Sequence, residues 1–428
     1  MGNTKSLKLN LIIMNFLQFA VWGAYLTCMG IYLGNIGLGE NIGTFYAMQG
    51  IVSIFMPALI GAIADRWIPA QKMLGICHLI AGIFMIGCFF YGQSAGENAQ
   101  FLPLFIMYSV SIAFYMPTLP LTYSVAYTGL ANAGLDTVKD FPPIRVFGTV
   151  GFIATMWVVD LCGFKSTEFQ FLVSGMLSIV LFFYSFILPK CPINRNKEKK
   201  GFADNMGLKA FKLFRQRNMA LFFIFSMMLG VCLQITNGFA TPFIESFKEN
   251  PEYAGSFFTD HSVILVSLSQ ISETLCILLI PFFMKRFGIK TVILIALIAW
   301  VLRFGLLGTG NPGMGVWMWI LSMIVYGVAF DFFNISGSLY VDKCTSHDIR
   351  SSAQGVFMLM TNGIGATVGS FSAQTVINAN TIDGNTDWQK CWFIFAGYAL
   401  IVAVLFILLF QEQKSGKERR LERNKLKA

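Results

Sequence analysis

Long stretches almost free of charge recur from one end of this 428-residue chain to the other. An α-helix needs about 20 apolar residues to cross the hydrocarbon of a bilayer. Twelve stretches reach that length: 9–33, 43–64, 72–92, 101–127, 142–162 and 168–189, then 219–243, 262–284, 290–308, 315–340, 352–377 and 388–411. In lipid every backbone N–H and C=O must be satisfied within the protein, which selects helices over open sheets. Charged residues are 12% of the sequence, half of the roughly 25% usual in soluble domains. The expected fold is all-α and multi-pass, with twelve transmembrane helices.

Lys and Arg that flank membrane spans collect on the cytoplasmic side. With the N-terminus inside, 26 of the 31 Lys and Arg fall in inner segments; Lys165, Lys248 and Lys390 fall outside, while Arg145 and Arg303 lie within spans. Both termini are therefore expected in the cytoplasm. The net charge of +9 then belongs to segments facing anionic headgroups, and no nucleic-acid partner is expected.

A Lys-rich connection divides the spans six and six. The expected units are a six-helix bundle over 1–189, a cytoplasmic linker over 190–218, a second six-helix bundle over 219–411 and a basic tail over 412–428. The linker carries an amphipathic pattern at Asp204–Phe214, expected to lie as a helix at the interface. Two six-span halves are an arrangement found in transporters built by internal duplication.

Nine cysteines form no CxxC pair, and three scattered histidines show no ligand spacing; neither a metal nor a cofactor is expected. "GTGNPG", 308–313, satisfies GxGxxG but sits in a loop between spans. A dinucleotide site needs a preceding strand and a following helix, so this match is dismissed.

Of 22 acidic residues, only Glu273 and Asp331 fall near the centre of a span, and Asp160 sits at the outer end of the fifth. A charge at mid-bilayer costs at least ~2.5–3.5 kcal/mol, and intramembrane ionisable residues are functional by default. Glu273 follows Gln270 by three residues, as Asn237 follows Gln234 and Asn334 follows Asp331; this spacing puts each pair on one helix face. Arg145, Thr149 and Phe152 line one face of span five. Interhelical hydrogen bonds alone would account for Asn334 and for Gln18 in span one. They do not account for two carboxylates beside two amides on neighbouring spans.

The stretches "FLQFAVWGAYLT", "FMPALIGAIADRW", "DFPPIRVFGTVGFI", "LQITNGF", "SQISETL" and "FDFFNISGS" together resemble the nucleoside:proton symporters of the major facilitator superfamily, including its broad-specificity bacterial permeases. Within "GAIADRW", Gly61, Asp65 and Arg66 match the superfamily's GxxxDR loop motif. There the glycine would permit close helix approach, and Asp65 would cap a neighbouring helix. The resemblance implies the major facilitator fold, a multi-pass location in the bacterial inner membrane, and nucleoside uptake coupled to inward proton flow. Alternating access would proceed around a central cavity, with purine and pyrimidine nucleosides and protons as partners and the bilayer as solvent; a monomer is the expected unit, though not one the resemblance implies. Carried over by motif, Arg145, Thr149 and Phe152 contact the nucleoside from the first half. Gln234, Asn237, Gln270, Glu273, Tyr326 and Phe330 contact it from the second, and Asp331 is tied to proton coupling.

Two other readings stay open on residue chemistry alone. The same amides and acids would serve another neutral polar solute such as a sugar. An intramembrane enzyme using Glu273 and Asp331 as an acid–base pair is the more remote one, since the chain has no GxSxG, HExxH or phosphate loop.

Overall fold

The structure is a computed structural model that describes residues 2–192, 208–253, 255–345 and 349–411. The described residues are nearly all helical, and ten of the helical segments are long and apolar enough to cross a membrane. The basic tail and residues 193–207 of the linker lie outside the described residues.

The first eight helices are α1 (Gly2–Gly23), α2 (Met29–Asn35), α3 (Ile42–Arg66), α4 (Ala70–Ala95), α5 (Phe101–Tyr115), α6 (Thr118–Asn132), α7 (Thr137–Leu161) and α8 (Phe169–Tyr184). After the linker come α9 (Arg217–Ser246), the single turn α10 (Phe257–Asp260), α11 (Ser262–Thr309), α12 (Val316–Cys344), α13 (Arg350–Met358), α14 (Ala366–Ala379) and α15 (Trp388–Leu409). A two-stranded hairpin, Thr381–Ile382 with Asn385–Thr386, joins the last two.

Several expected spans are not single regular helices. The first stretch starts earlier than residue 9 and breaks into turns between Gly23 and Met29 before α2. Lys8, Asn10, Asn15 and Gln18 also dilute its apolar character, and it is not among the ten. The stretch 101–127 divides at Pro117 into α5 and α6, because proline lacks an N–H and crowds the preceding turn. Conversely, 262–284 and 290–308 run on as the 48-residue α11, broken at Gly288 with φ 75° and ψ 170°. That backbone conformation is open to glycine and strained for any other residue.

In place of the amphipathic α-helix expected over Asp204–Phe214, the described part of the linker is a 3₁₀ segment, Leu208–Arg215. Side chains three apart eclipse in that geometry, so Phe211 stacks on Phe214 at 5.8 Å and 15°. Phe214 then tilts against Phe223 of α9 at 5.1 Å.

Glycines set where the helices touch. A Cβ at Gly23 would lie 2.9 Å from the Phe152 Cα of α7, and one at Gly151 would meet the Phe16 backbone of α1. The same device pairs α9 with the eleventh stretch: a Cβ at Gly230 would meet the Thr361 carbonyl, and one at Gly365 would lie 2.5 Å from the Met227 carbonyl. Thr361 and Gly365 belong to a seven-residue π-helical segment, Leu359–Gly365, between α13 and α14. The first stretch thus packs on the fifth and the seventh on the eleventh, which is one arrangement used twice. Small residues permit such approaches, which give van der Waals contact its purchase in lipid.

The two sets of helices meet at the end of the bundle away from the chain termini. Gly43 N–H donates to Gln374 Oε1 at 2.6 Å, and Gln374 Nε2 donates to the Gly39 carbonyl at 3.2 Å. The Thr241 hydroxyl donates to the Thr27 carbonyl. Trp157 Nε1 donates to Ser267 Oγ at 2.8 Å. A cluster of charges completes this seam. Lys165 Nζ lies 2.9 Å from Asp160 Oδ1 and 2.8 Å from Glu245 Oε1, and His261 Nδ1 lies 3.0 Å from Asp160 Oδ2.

Candidate functional site

Arg145 stands on α7 with its guanidinium 3.9 Å from the Phe19 ring centroid. Its Nε donates to the Tyr123 hydroxyl at 3.0 Å and its Nη1 to Thr149 Oγ1 at 3.5 Å. An aromatic face and two neutral oxygens hold the cation, which makes no ion pair among the described residues. Phe152, one turn beyond Thr149, is buried with its ring edge-on to Trp22 at 6.2 Å and 88°.

The second set of helices supplies the facing wall. Asn237 Nδ2 donates to Gln234 Oε1 at 2.9 Å, and Gln234 Nε2 donates to the Tyr46 carbonyl at 3.4 Å. The i, i+3 spacing on α9 therefore makes one hydrogen-bonded amide pair, with Gln234 buried and Asn237 half-buried. On α11, Gln270 Oε1 is buried without a hydrogen-bond partner, while Glu273 is half-buried one turn on. On α12, Tyr326 and Phe330 stack with centroids 5.7 Å apart and planes 8° apart. Asp331 follows, 3% exposed, with Oδ2 buried and unpartnered.

Glu273 and Asp331 lie within electrostatic reach of one another and of Arg145. Glu273 of α11 and Asp331 of α12 are thus brought within reach of Arg145 of α7, while the Gln234–Asn237 pair on α9 is tied to Tyr46 of α3. Arg145, Thr149, Asn237, Gln270, Glu273 and Phe330 are half-buried. Beside Phe330 a cavity of about 20 Å³ reaches Trp300, Asn334, Thr361 and Asn362, room for about one water.

The loop-motif residues are elsewhere. Gly61 and Arg66 lie in the last turns of α3 at the end of the bundle near the termini. A Cβ at Gly61 would meet no atom within 4 Å, so close helix approach is not what this glycine provides here. The Asp65 side chain lies outside the described residues.

Arg303 was visible as a charge in span nine, yet nothing in its flanking residues assigned it a partner. It is 2% exposed and its guanidinium lies 4.5 Å from the Tyr326 ring centroid. Gln18 and His78, read apart in the sequence, are joined: His78 Nε2 lies 2.8 Å from Gln18 Oε1 and Nδ1 lies 2.8 Å from Ser178 Oγ. Gln18 Nε2 also donates to Thr118 Oγ1 at 2.7 Å. Both imidazole nitrogens face neutral groups, which makes this a packing network inside the first set of helices. Among the described residues no cluster of His, Cys, Asp or Glu is arranged to hold a metal ion.

Comparison with known proteins identifies the family. The family model described as nucleoside H+ symporter matches residues 5–415. The chain is 47% identical to nucleoside permease NupG of Escherichia coli (strain K12) over 410 residues, covering 95% of this chain and 96% of that one. It is 46% identical to the xanthosine permease of the same strain over 409 residues, with the same coverage. A crystal structure of a mutant of the nucleoside transporter NupG superposes with TM-score 0.90 at 45% identity, covering 95% of this chain and all of that one. The chain belongs to the nucleoside H+ symporter family, and is a multi-pass membrane transporter, not an enzyme.

Proposed function

We propose that the protein imports purine and pyrimidine nucleosides across the bacterial inner membrane, each with inward proton flow, as a monomer. The observation that carries this reading is the placement of Asp331: a buried carboxylate with one oxygen unpartnered, within electrostatic reach of Glu273 and Arg145. A permanently charged structural residue would be paired at such a site, because an uncompensated buried charge is expensive. A carboxyl that binds and releases a proton each cycle needs that freedom instead.

The polypeptide crosses the membrane twelve times in this reading. Counting the interrupted α1–α2 stretch and dividing α11 at Gly288 adds two crossings to the ten long apolar segments. Two six-helix bundles, 1–189 and 219–411, follow, with both termini in the cytoplasm as the placement of Lys and Arg favours. The seam at Lys165, Glu245 and Gln374 then lies on the external side.

A nucleoside offers ribose hydroxyls and a base with polar edges and π-faces. Gln234, Asn237, Gln270 and Thr149 supply neutral donors and acceptors, Glu273 accepts from the ribose, and Arg145 donates. Phe152, Tyr326 and Phe330 offer aromatic faces to the base. Protonation of Asp331 lowers the cost of closing a drier cavity around it, and a potential adds about 2.3 kcal/mol per charge per 100 mV to accumulation.

Uptake of labelled uridine into proteoliposomes, challenged with unlabelled nucleosides and hexoses, tests the substrate class. Competition by adenosine, cytidine and xanthosine is expected. Competition by hexoses alone would transfer the site to sugars.

A further inference from the structure

Arg303 is the one charge in the middle of the second helix set that the transport reading leaves without a task. The side chain is 2% exposed and makes no ion pair among the described residues. Its Nη1 donates to the Ser322 carbonyl of α12 at 2.9 Å and approaches Ser269 Oγ at 3.3 Å, and Ser322 Oγ returns a bond to the Arg303 carbonyl at 2.9 Å. Nε is buried with no acceptor. The remaining interactions are with Met323 Sδ, 3.8 Å from Nη1, and with a π-face, the Tyr326 ring at 4.5 Å.

If this position served only to tie helices together, a serine or asparagine would do so at a fraction of the cost of a buried cation. What the guanidinium adds is a fixed plane. Tyr326 is held by Arg303 over its face, by Trp300 edge-on at 5.9 Å and 89°, and by Phe330 stacked at 5.7 Å and 8°. Phe330 is half-buried and lines the small cavity it shares with Trp300 and Thr361. The same guanidinium reaches Ser269, the residue before Gln270 and one turn before Glu273. One buried charge therefore bears on both the aromatic wall and the helix turn carrying two polar site residues.

We propose that Arg303 is a positioning residue for nucleoside recognition, which sets the plane of Tyr326 and Phe330 against the base without touching substrate. The proposal rests on the reading of Tyr326 and Phe330 as the base wall. A cation over an aromatic face contributes about 0.5–2 kcal/mol. Arg303→Met should therefore weaken uridine binding about 2- to 30-fold, raising KM while leaving Vmax per folded transporter nearly unchanged. Arg303→Lys, which keeps the charge but not the planar fork, should recover part of the affinity.

The test is equilibrium binding of labelled uridine to purified, monodisperse Arg303→Met, Arg303→Lys, Tyr326→Leu and the Arg303→Met/Tyr326→Leu double variant. If Arg303 acts through the ring, Arg303→Met weakens binding alone and costs nothing further once Tyr326 is gone. Full additivity in the double variant overturns the proposal, as does Arg303→Met with wild-type affinity. If Arg303→Met does not fold, Arg303→Lys carries the test: unchanged affinity and nucleoside ranking would overturn it. Tyr326→Leu with unchanged affinity would overturn the base-wall reading as well, whereas loss in Tyr326→Leu but not in Arg303→Met overturns only the role of Arg303.

Discussion

Lys165 Nζ lies 2.8 Å from Glu245 Oε1 and joins the first helix set to the second, with the lysine side chain 7% exposed and the glutamate 12%. Asp160, wholly buried at its carboxylate, holds the same ammonium at 2.9 Å. Removing one partner of such a buried pair costs about 3–5 kcal/mol, because the charge left behind stays desolvated. Lys165→Met should lower the melting temperature of the purified protein by several degrees and reduce the population closed at this end. Lys165→Met/Glu245→Gln should recover part of the loss, since Glu245 would otherwise keep only Lys248, 3.4 Å from its Oε2, and the change neutralises one of the two carboxylates the lysine leaves. Identical melting curves for wild type and Lys165→Met would remove the cluster from the seam.

Asp331→Asn keeps the shape of the side chain and removes its proton chemistry. Gradient-driven accumulation of uridine should vanish, while exchange of external for internal uridine continues at a comparable rate. Simultaneous loss of both activities would place Asp331 in substrate binding.

Gln270 and Glu273 share one turn of α11, with the Gln270 carbonyl oxygen unpartnered and so free to receive a substrate N–H or O–H. A hydrogen bond to a charged group is worth about 1.5–3 kcal/mol. Glu273→Gln should therefore weaken uridine binding about 10- to 150-fold, and Gln270→Ala should weaken it by a smaller factor. Titration calorimetry with either variant at wild-type affinity would take that residue out of the site.

The glycines separate packing from motif. A Cβ at Gly230 would meet the Thr361 carbonyl, whereas one at Gly61 meets nothing. Overpacking costs typically about 1–3 kcal/mol, so Gly230→Val should reduce the yield of folded protein and its melting temperature. Gly61→Ala should melt as wild type does, and any transport defect in it would belong to another state of the cycle.

Much of this was legible in the sequence, because a bilayer imposes its own ruler. Helix length, the segregation of Lys and Arg, and the scarcity of buried acids are each one-dimensional signals. Glu273 and Asp331 stood out for that reason, and the i, i+3 rule placed Asn237 beside Gln234 correctly. The interruption between Gly23 and Met29 and the continuity through Gly288 were hidden, since both depend on how neighbours pack. Arg303 was visible as a charge, but its partners are a carbonyl, a hydroxyl, a thioether and a ring 19 to 34 positions away in sequence. The seam at Lys165 was hidden similarly: its partners Asp160 and Glu245, and His261 on the far side of Asp160, read as unrelated helix ends until the two sets of helices meet.

Proton movement during nucleoside uptake tests the account most directly. Proteoliposomes loaded with a pH-sensitive dye, with no gradient imposed, should acidify internally when uridine is added outside. Asp331→Asn vesicles should show no such change. Uridine entry at the wild-type rate with no internal acidification would contradict symport and the role given to Asp331.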